Sequence, residues 1–229
     1  MTRAPITEPV SIPGPAGNIE AIIESGSAGL EDAVAVVCHP HPLYHGTMSN
    51  KVVHTIARSV AQLGRPAVRF NFRGVGHSDG AYAEGVGEAL DARAVVAWSR
   101  QRWPQANLWL AGFSFGAYVA LSVANDEAPS RLLMVAPPIQ RFDMTDMATP
   151  GCPWLVIQGD RDELVDANAV EAWAASMSPA PELVRFADTD HFFHGRLTLL
   201  RQAVSGFFDG PSFDGKSVDG KSFDGNVTC

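Results

Sequence analysis

The segment Gly112-Phe113-Ser114-Phe115-Gly116 places a serine midway between two glycines, directly after the apolar run Leu108-Trp109-Leu110-Ala111 and before the small-residue stretch Ala117-Tyr118-Val119-Ala120. A serine in a sharp strand-to-helix turn needs glycine two positions to either side, because side chains there would collide with the neighbouring strand and helix. Such a turn lifts the hydroxyl above a sheet and sets it at a helix N-terminus, where the dipole favours developing negative charge. A serine hydroxyl is a weak nucleophile until a base takes its proton, and the base needs an orienting acid. Downstream, the run 154–158 leads into Gly159-Asp160-Arg161-Asp162-Glu163, where Asp160, Asp162 and Glu163 all stand just past a strand end. Further on, Asp188-Thr189-Asp190-His191-Phe192-Phe193 offers a loop histidine, with His194 as a rival that reads as the opening of the last helix. The chain order serine, acid, histidine is one recurrent order of a hydrolytic triad.

Those loops need elements to carry them. Apolar runs at 19–23, 34–38, 67–72, 108–113, 131–135, 154–158 and 183–186 alternate with amphipathic stretches. Several runs are continuous in Val, Ile, Leu and Phe, as in strands buried on both faces, so a mostly parallel central sheet with helices on both faces is predicted. Helices are expected over 50–63, after Ser114, over 166–177 and over 195–208. Another carries Val86, Leu90, Ala94 and Ala97 on one face. The stretch between the 131–135 and 154–158 strands leaves room for one short helix and no large lid domain.

Composition bounds the setting. Hydrophobic residues make up 46% of 229, enough for one α/β domain with a substantial core. A formal net charge of −8 repels phosphate backbones and anionic lipid heads, which argues against nucleic acid and membrane surfaces as partners. No secretory apolar segment opens the chain, and no run of about eighteen apolar residues could span a bilayer. Cys38, Cys152 and Cys229 lack metal-ligand spacing, and Cys38 lies in an apolar run as a buried free thiol. The chain thus reads as cytoplasmic and reduced, a monomer or small homo-oligomer. Residues 1–208 form the predicted domain. From Asp209 a five-residue near-repeat (DGPSF, DGKSV, DGKSF, DGNVT) reads as a mobile tail over 209–229, too poor in apolar surface to order itself.

The motifs together resemble the α/β-hydrolase superfamily, and more closely its small lidless bacterial serine hydrolases related to dienelactone hydrolase. The resemblance rests on Cys38-His39-Pro40-His41-Pro42-Leu43-Tyr44-His45-Gly46-Thr47-Met48 with Asn50-Lys51-Val52-Val53, on Asn71-Phe72-Arg73-Gly74-Val75-Gly76-His77-Ser78, and on the serine, acid and histidine loops. It implies the α/β-hydrolase fold without a large lid and a carboxylesterase-like hydrolase acting through an acyl-enzyme, with Ser114, Asp162 and His191 as catalytic residues. The pattern Gly-x-x-Asp-x-x-Val selects Asp162 over Asp160. The oxyanion needs two backbone donors. Phe115, following the serine, supplies one; Pro40 and Pro42 have no N–H, and the resemblance points to Leu43 for the second, with Tyr44 behind it. Tyr44, His45, Met48, Phe113, Val165 and Phe192 are the expected substrate pocket, suited to a short apolar group. His45 stands where the family pattern usually has a second glycine. No cofactor is implied, and His39, His41 and His45 lack the company of a metal site, so His39 and His41 read as structural. Arg73 and Gly74-Val75-Gly76 are assigned to architecture. A thioesterase or lactonase using the same triad, or a non-catalytic binding protein on the same fold, are the alternatives.

Overall fold

The central strands alternate strictly in which face they serve. In β3 (Ala33–Cys38) all six residues are buried, Val34, Val36 and Cys38 in one core and Ala33, Ala35 and Val37 in the other. The same split divides Leu108 and Leu110 from Trp109, Ala111 and Phe113 in β5 (Asn107–Phe113). Period-two side chains on a doubly covered strand give this result. The computed structural model describes residues 6–26 and 29–210.

Around β3 and β5 lie β1 (Ile6–Gly14), β2 (Gly17–Ser25), β4 (Ala67–Phe70), β6 (Arg131–Val135), β7 (Trp154–Gly159) and β8 (Glu182–Phe186). The sheet order is β1-β2-β4-β3-β5-β6-β7-β8. β1 pairs antiparallel with β2, and β2 with β4, while β4 through β8 run parallel. Helices α1 (Lys51–Gln62) and α5 (Leu197–Asp209) cover one face, and α2 (Val86–Arg102), α3 (Phe115–Glu127) and α4 (Ala167–Ser176) the other. α1 starts where Asn50 Oδ1 accepts the Val52 N–H (2.9 Å), and α4 where Asp166 Oδ1 accepts the Asn168 N–H (2.8 Å).

The seven predicted strands and five predicted helices are all present. Three details differ. β1 escapes a search for apolar runs because only Ile12 is buried along it, and Pro9 and Pro13 are tolerable only on an edge strand. In α2 the face of Val86 and Leu90 turns outward, 72% and 48% exposed. The buried face instead holds Glu88 and Asp91, whose charges are matched. Glu88 accepts the N–H groups of Ala83 and Gly85 (2.9 and 2.7 Å), and Asp91 holds Arg73 through its Nε and a terminal nitrogen (3.0 and 2.8 Å). Paired polar groups override apolar periodicity here, and Arg73 is architectural. Residues 136–153 form turns rather than a short helix. Of the repeat-like tail predicted over 209–229, Asp209 ends α5 and Gly210 caps it, while residues 211–229, Cys229 included, lie outside the described residues. Cys38 is buried and unbridged, and burial pushes its thiol up. Among the described residues, no helix is long and apolar enough to cross a membrane.

Candidate active site

Parallel strands β3, β5, β6, β7 and β8 end on one edge of the sheet, and the loops leaving them meet there. Ser114 is the turn between β5 and α3, with φ 53° and ψ −121°, a backbone state that L residues rarely hold. Its N–H donates to Val135 O on the neighbouring strand (2.8 Å), which helps fix the turn. The two flanking glycines are there for space. A Cβ on Gly112 would lie 2.0 Å from Gly116 O, and one on Gly116 would lie 2.3 Å from Cys38 O. Gly116→Ala is therefore expected to lower stability by about 3 kcal/mol or more, since only backbone could yield. Gly206→Ala in α5, where nothing lies within 4 Å, is the matched control and is expected to be neutral or mildly stabilising. Equal melting temperatures for the two variants would contradict this reading.

Asp162 sits in the turn after β7 with every lone pair engaged. Oδ1 accepts the N–H groups of Leu164 and Val165 (2.8 and 2.9 Å), and Oδ2 accepts Gln158 Nε2–H (2.9 Å). The same Oδ2 lies 2.7 Å from His191 Nδ1. Burial opposes the charge, yet the His191 contact and these donors together hold the carboxyl below its usual value. A carboxylate only accepts, so Nδ1 carries the proton. His191 Nε2 then presents its lone pair to Ser114 Oγ, 3.1 Å away. The ring is 2% exposed, held between Phe113 and Phe192 with centroids 5.1 Å from each. Asp160 and Glu163 turn elsewhere: Asp160 accepts the Thr189 N–H (3.3 Å) and Glu163 the His191 backbone N–H (3.2 Å). His194 lies at the surface with Asp190, Nδ1 to Oδ2 2.6 Å.

The loop after β3 is pinned by His39. Its Nε2 accepts the Phe72 N–H (3.0 Å), so Nδ1 is protonated and donates to Pro40 O (2.6 Å). Burial holds this ring neutral, with a pKa lowered from 6.5 to about 4. The unfolded chain then binds one more proton than the native state between those values, so stability falls as pH drops from 6.5 towards 4. The loss is expected to reach roughly 3 kcal/mol at full protonation of the unfolded histidine. Denaturant melts at neutral and acid pH, on wild type and His39→Gln, test this; an identical pH slope in both refutes it.

Leu43 does not offer the second donor. Its N–H donates to His41 Nδ1 (3.2 Å), and its side chain is 65% exposed on a one-turn 3-10 helix, Pro42–Tyr44. Between Pro40 and Pro42 the one available N–H is that of His41, a residue lining the same cavity as Ser114 and Phe115. Neither the His41 nor the Phe115 N–H is taken by another group among the described residues.

That cavity is about 520 Å³. Of the expected pocket residues, Tyr44, His45, Val165 and Phe192 line it. Met48 and Phe113 do not. Met48 is buried with its N–H on Asn71 Oδ1 (2.8 Å), and Phe113 lies wholly in the core, under the His191 ring. Sequence reading missed His41, Asn50, Pro138, Arg141, Phe142 and Leu164. Pro138, Arg141 and Phe142 belong to the β6–β7 connection, whose sequence carries no motif. His41 was in view, and the two prolines around it were the signal that its N–H alone remained. Among the described residues no group of three or more His, Cys, Asp or Glu side chains could hold a metal ion.

A mostly parallel sheet of this order, with serine, histidine and aspartate bonded in series at its carboxyl edge, defines a serine-hydrolase arrangement on the α/β-hydrolase fold. The chain belongs to the alpha/beta hydrolase domain family, which matches residues 43–201. It is similar to an α/β serine hydrolase homologue from Coxiella burnetii (43% identity, 90% of this chain and 97% of that one, TM-score 0.84). It is equally similar to an α/β serine hydrolase without a lid from Xanthomonas campestris (43% identity, 89% and 94% covered, TM-score 0.85). An uncharacterised protein of Rickettsia prowazekii is 35% identical over 205 residues, 85% of each chain.

Proposed function

We propose that this hydrolase cleaves a carboxylic ester through an acyl-enzyme formed on Ser114. The observation that carries the reading is the unbroken path Ser114 Oγ, His191 Nε2, His191 Nδ1, Asp162 Oδ2, at 3.1 and 2.7 Å, opening on a cavity. Ser114 Oγ attacks the carbonyl carbon as His191 Nε2 takes its proton, and Asp162 stabilises the imidazolium. The carbonyl oxygen becomes an oxyanion, held by the N–H groups of Phe115 and His41. His191 returns the proton to the leaving alkoxide, and water then repeats the sequence to free the acid and Ser114. A thioester or lactone carbonyl would follow the same steps. The acidic balance favours a small acyl substrate over a nucleic-acid or membrane partner. The test is intact-mass detection of one fluorophosphonate adduct per chain, beside turnover of p-nitrophenyl acetate and butanoate. Well-folded protein that neither labels nor turns over would move the reading to a non-catalytic binding protein on this fold.

A further inference from the structure

The cavity beside Ser114 is walled mainly by proline, aromatic and aliphatic groups, yet it contains a cation. Arg141 stands in the β6–β7 connection, where its N–H and that of Phe142 both donate to Pro138 O (2.9 and 3.1 Å). That turn is tied to the start of α4 by the Asp166 N–H donating to Gln140 Oε1 (2.9 Å). The backbone presenting Arg141 is thus built rather than loose. Its guanidinium carbon lies 6.0 Å from the Tyr44 ring centroid, at the outer reach of a cation–π contact.

Arg65, Arg69, Arg73 and Arg185 each face a carboxylate within 4.0 Å. Among the described residues, Arg141 has no such partner, and the cavity lining contributes no acid to neutralise it. The nearest triad charge, on Asp162, is already spent on four donors. His41 adds no second cation: burial, and after it the Arg141 charge, keep its ring below the ordinary value against the pull of Glu88. An entering ligand therefore meets the exposed positive charge of Arg141, while the nearby negative charges, Asp162 and Glu88, are engaged by their own donors. A planar guanidinium fork matches the two oxygens of a carboxylate, the usual anionic group of small acyl compounds.

We infer that Arg141 forms a subsite for a carboxylate carried by the substrate, making the favoured esters monoanions. This rests on the ester-cleaving reading above and narrows its substrate class. The carboxylate can sit on the acyl side, as in a dicarboxylic acid monoester, or on the leaving alcohol, and the two are separable by experiment.

Two matched pairs serve: p-nitrophenyl butanoate against the mono-p-nitrophenyl ester of glutaric acid, and phenyl acetate against 4-carboxyphenyl acetate. Arg141→Gln is expected to lower kcat/KM for the anionic member of one pair about tenfold, the scale of a partly solvated charge-assisted bond. The neutral member should lose clearly less than the anionic one, and Arg141→Lys should recover part of the difference. Which pair responds assigns the side. Equal effects on neutral and anionic members, or no effect on either pair, overturn the subsite while leaving the hydrolase reading intact. Binding of glutarate, followed by ligand-observed NMR on wild type and Arg141→Gln, reads the same contact without turnover. Arg141-dependent binding by a protein that cleaves no ester would sustain the subsite and remove the hydrolase reading. Binding unchanged by Arg141→Gln would overturn the subsite.

Discussion

Ser114→Ala is expected to abolish fluorophosphonate labelling and to lower ester turnover by roughly a millionfold, the loss typical of removing a hydrolytic serine. The expectation follows from position. Ser114 Oγ is the hydroxyl within reach of His191 Nε2, at 3.1 Å, and it stands at the start of α3 beside the free Phe115 N–H. The variant should stay folded, because alanine meets the same backbone demand at φ 53° and the hydroxyl contributes one half-buried hydrogen bond. A stability change below about 1 kcal/mol is expected. The decisive pairing is an unchanged melting curve with lost activity. Turnover within tenfold of wild type would remove Ser114 from the mechanism.

Asp162→Asn is expected to cost about 10⁴-fold in kcat, and, unlike the serine variant, stability as well. Each oxygen of Asp162 receives two donors: Leu164 and Val165 N–H on Oδ1, Gln158 and His191 on Oδ2. An amide must turn its NH₂ towards one of these pairs. Turned to Oδ2, it forces His191 to protonate Nε2 instead, which leaves Ser114 facing a donor and no base. Turned to Oδ1, it confronts two backbone N–H groups with nowhere to go, at about 1–3 kcal/mol for each unmet group. The wild-type carboxyl is held below its ordinary 3.8, so the stability it contributes is complete above that pH and is lost only as pH falls through the lowered value. The variant should lose that part of the acid limb. Denaturant melts at acid pH and kcat at neutral pH check both halves, and a variant retaining a tenth of wild-type kcat would contradict the assignment of Asp162.

The elements that could be read from sequence are those whose residues answer one dominant demand. Strands β3, β5, β6 and β7 are covered on both faces along most of their length and so read as largely continuous apolar runs, and Gly112 and Gly116 answer contacts that exclude any side chain. The misread parts answer two demands at once. β1 is an edge that buries only Ile12, with Val10 partly covered beside it, and α2 buries Glu88 and Asp91 because their partners travel with them. Leu43 failed as a donor for a local reason: the loop folds into a 3-10 turn, and the preceding His41 ring takes its N–H. Leucine-to-histidine hydrogen bonding across two residues leaves no periodic trace. The cavity wall at Pro138, Arg141 and Phe142 was illegible for a similar reason, since turns at 136–153 are set by contacts with Tyr44, Tyr118 and α4 rather than by their own pattern.

The reacting groups lie in the loops that follow β5, β7 and β8, while one part of the wall that faces them, Pro138–Phe142, lies in the β6–β7 connection. One stretch of the cavity wall is therefore carried by a segment that holds none of the three bonded residues. Residues 138–142 touch the surroundings of the path from serine to aspartate through Gln140 on the Asp166 N–H and Phe142 on the Phe115 ring. Changes at 138 and 141 therefore reshape the cavity wall with the least disturbance to that path.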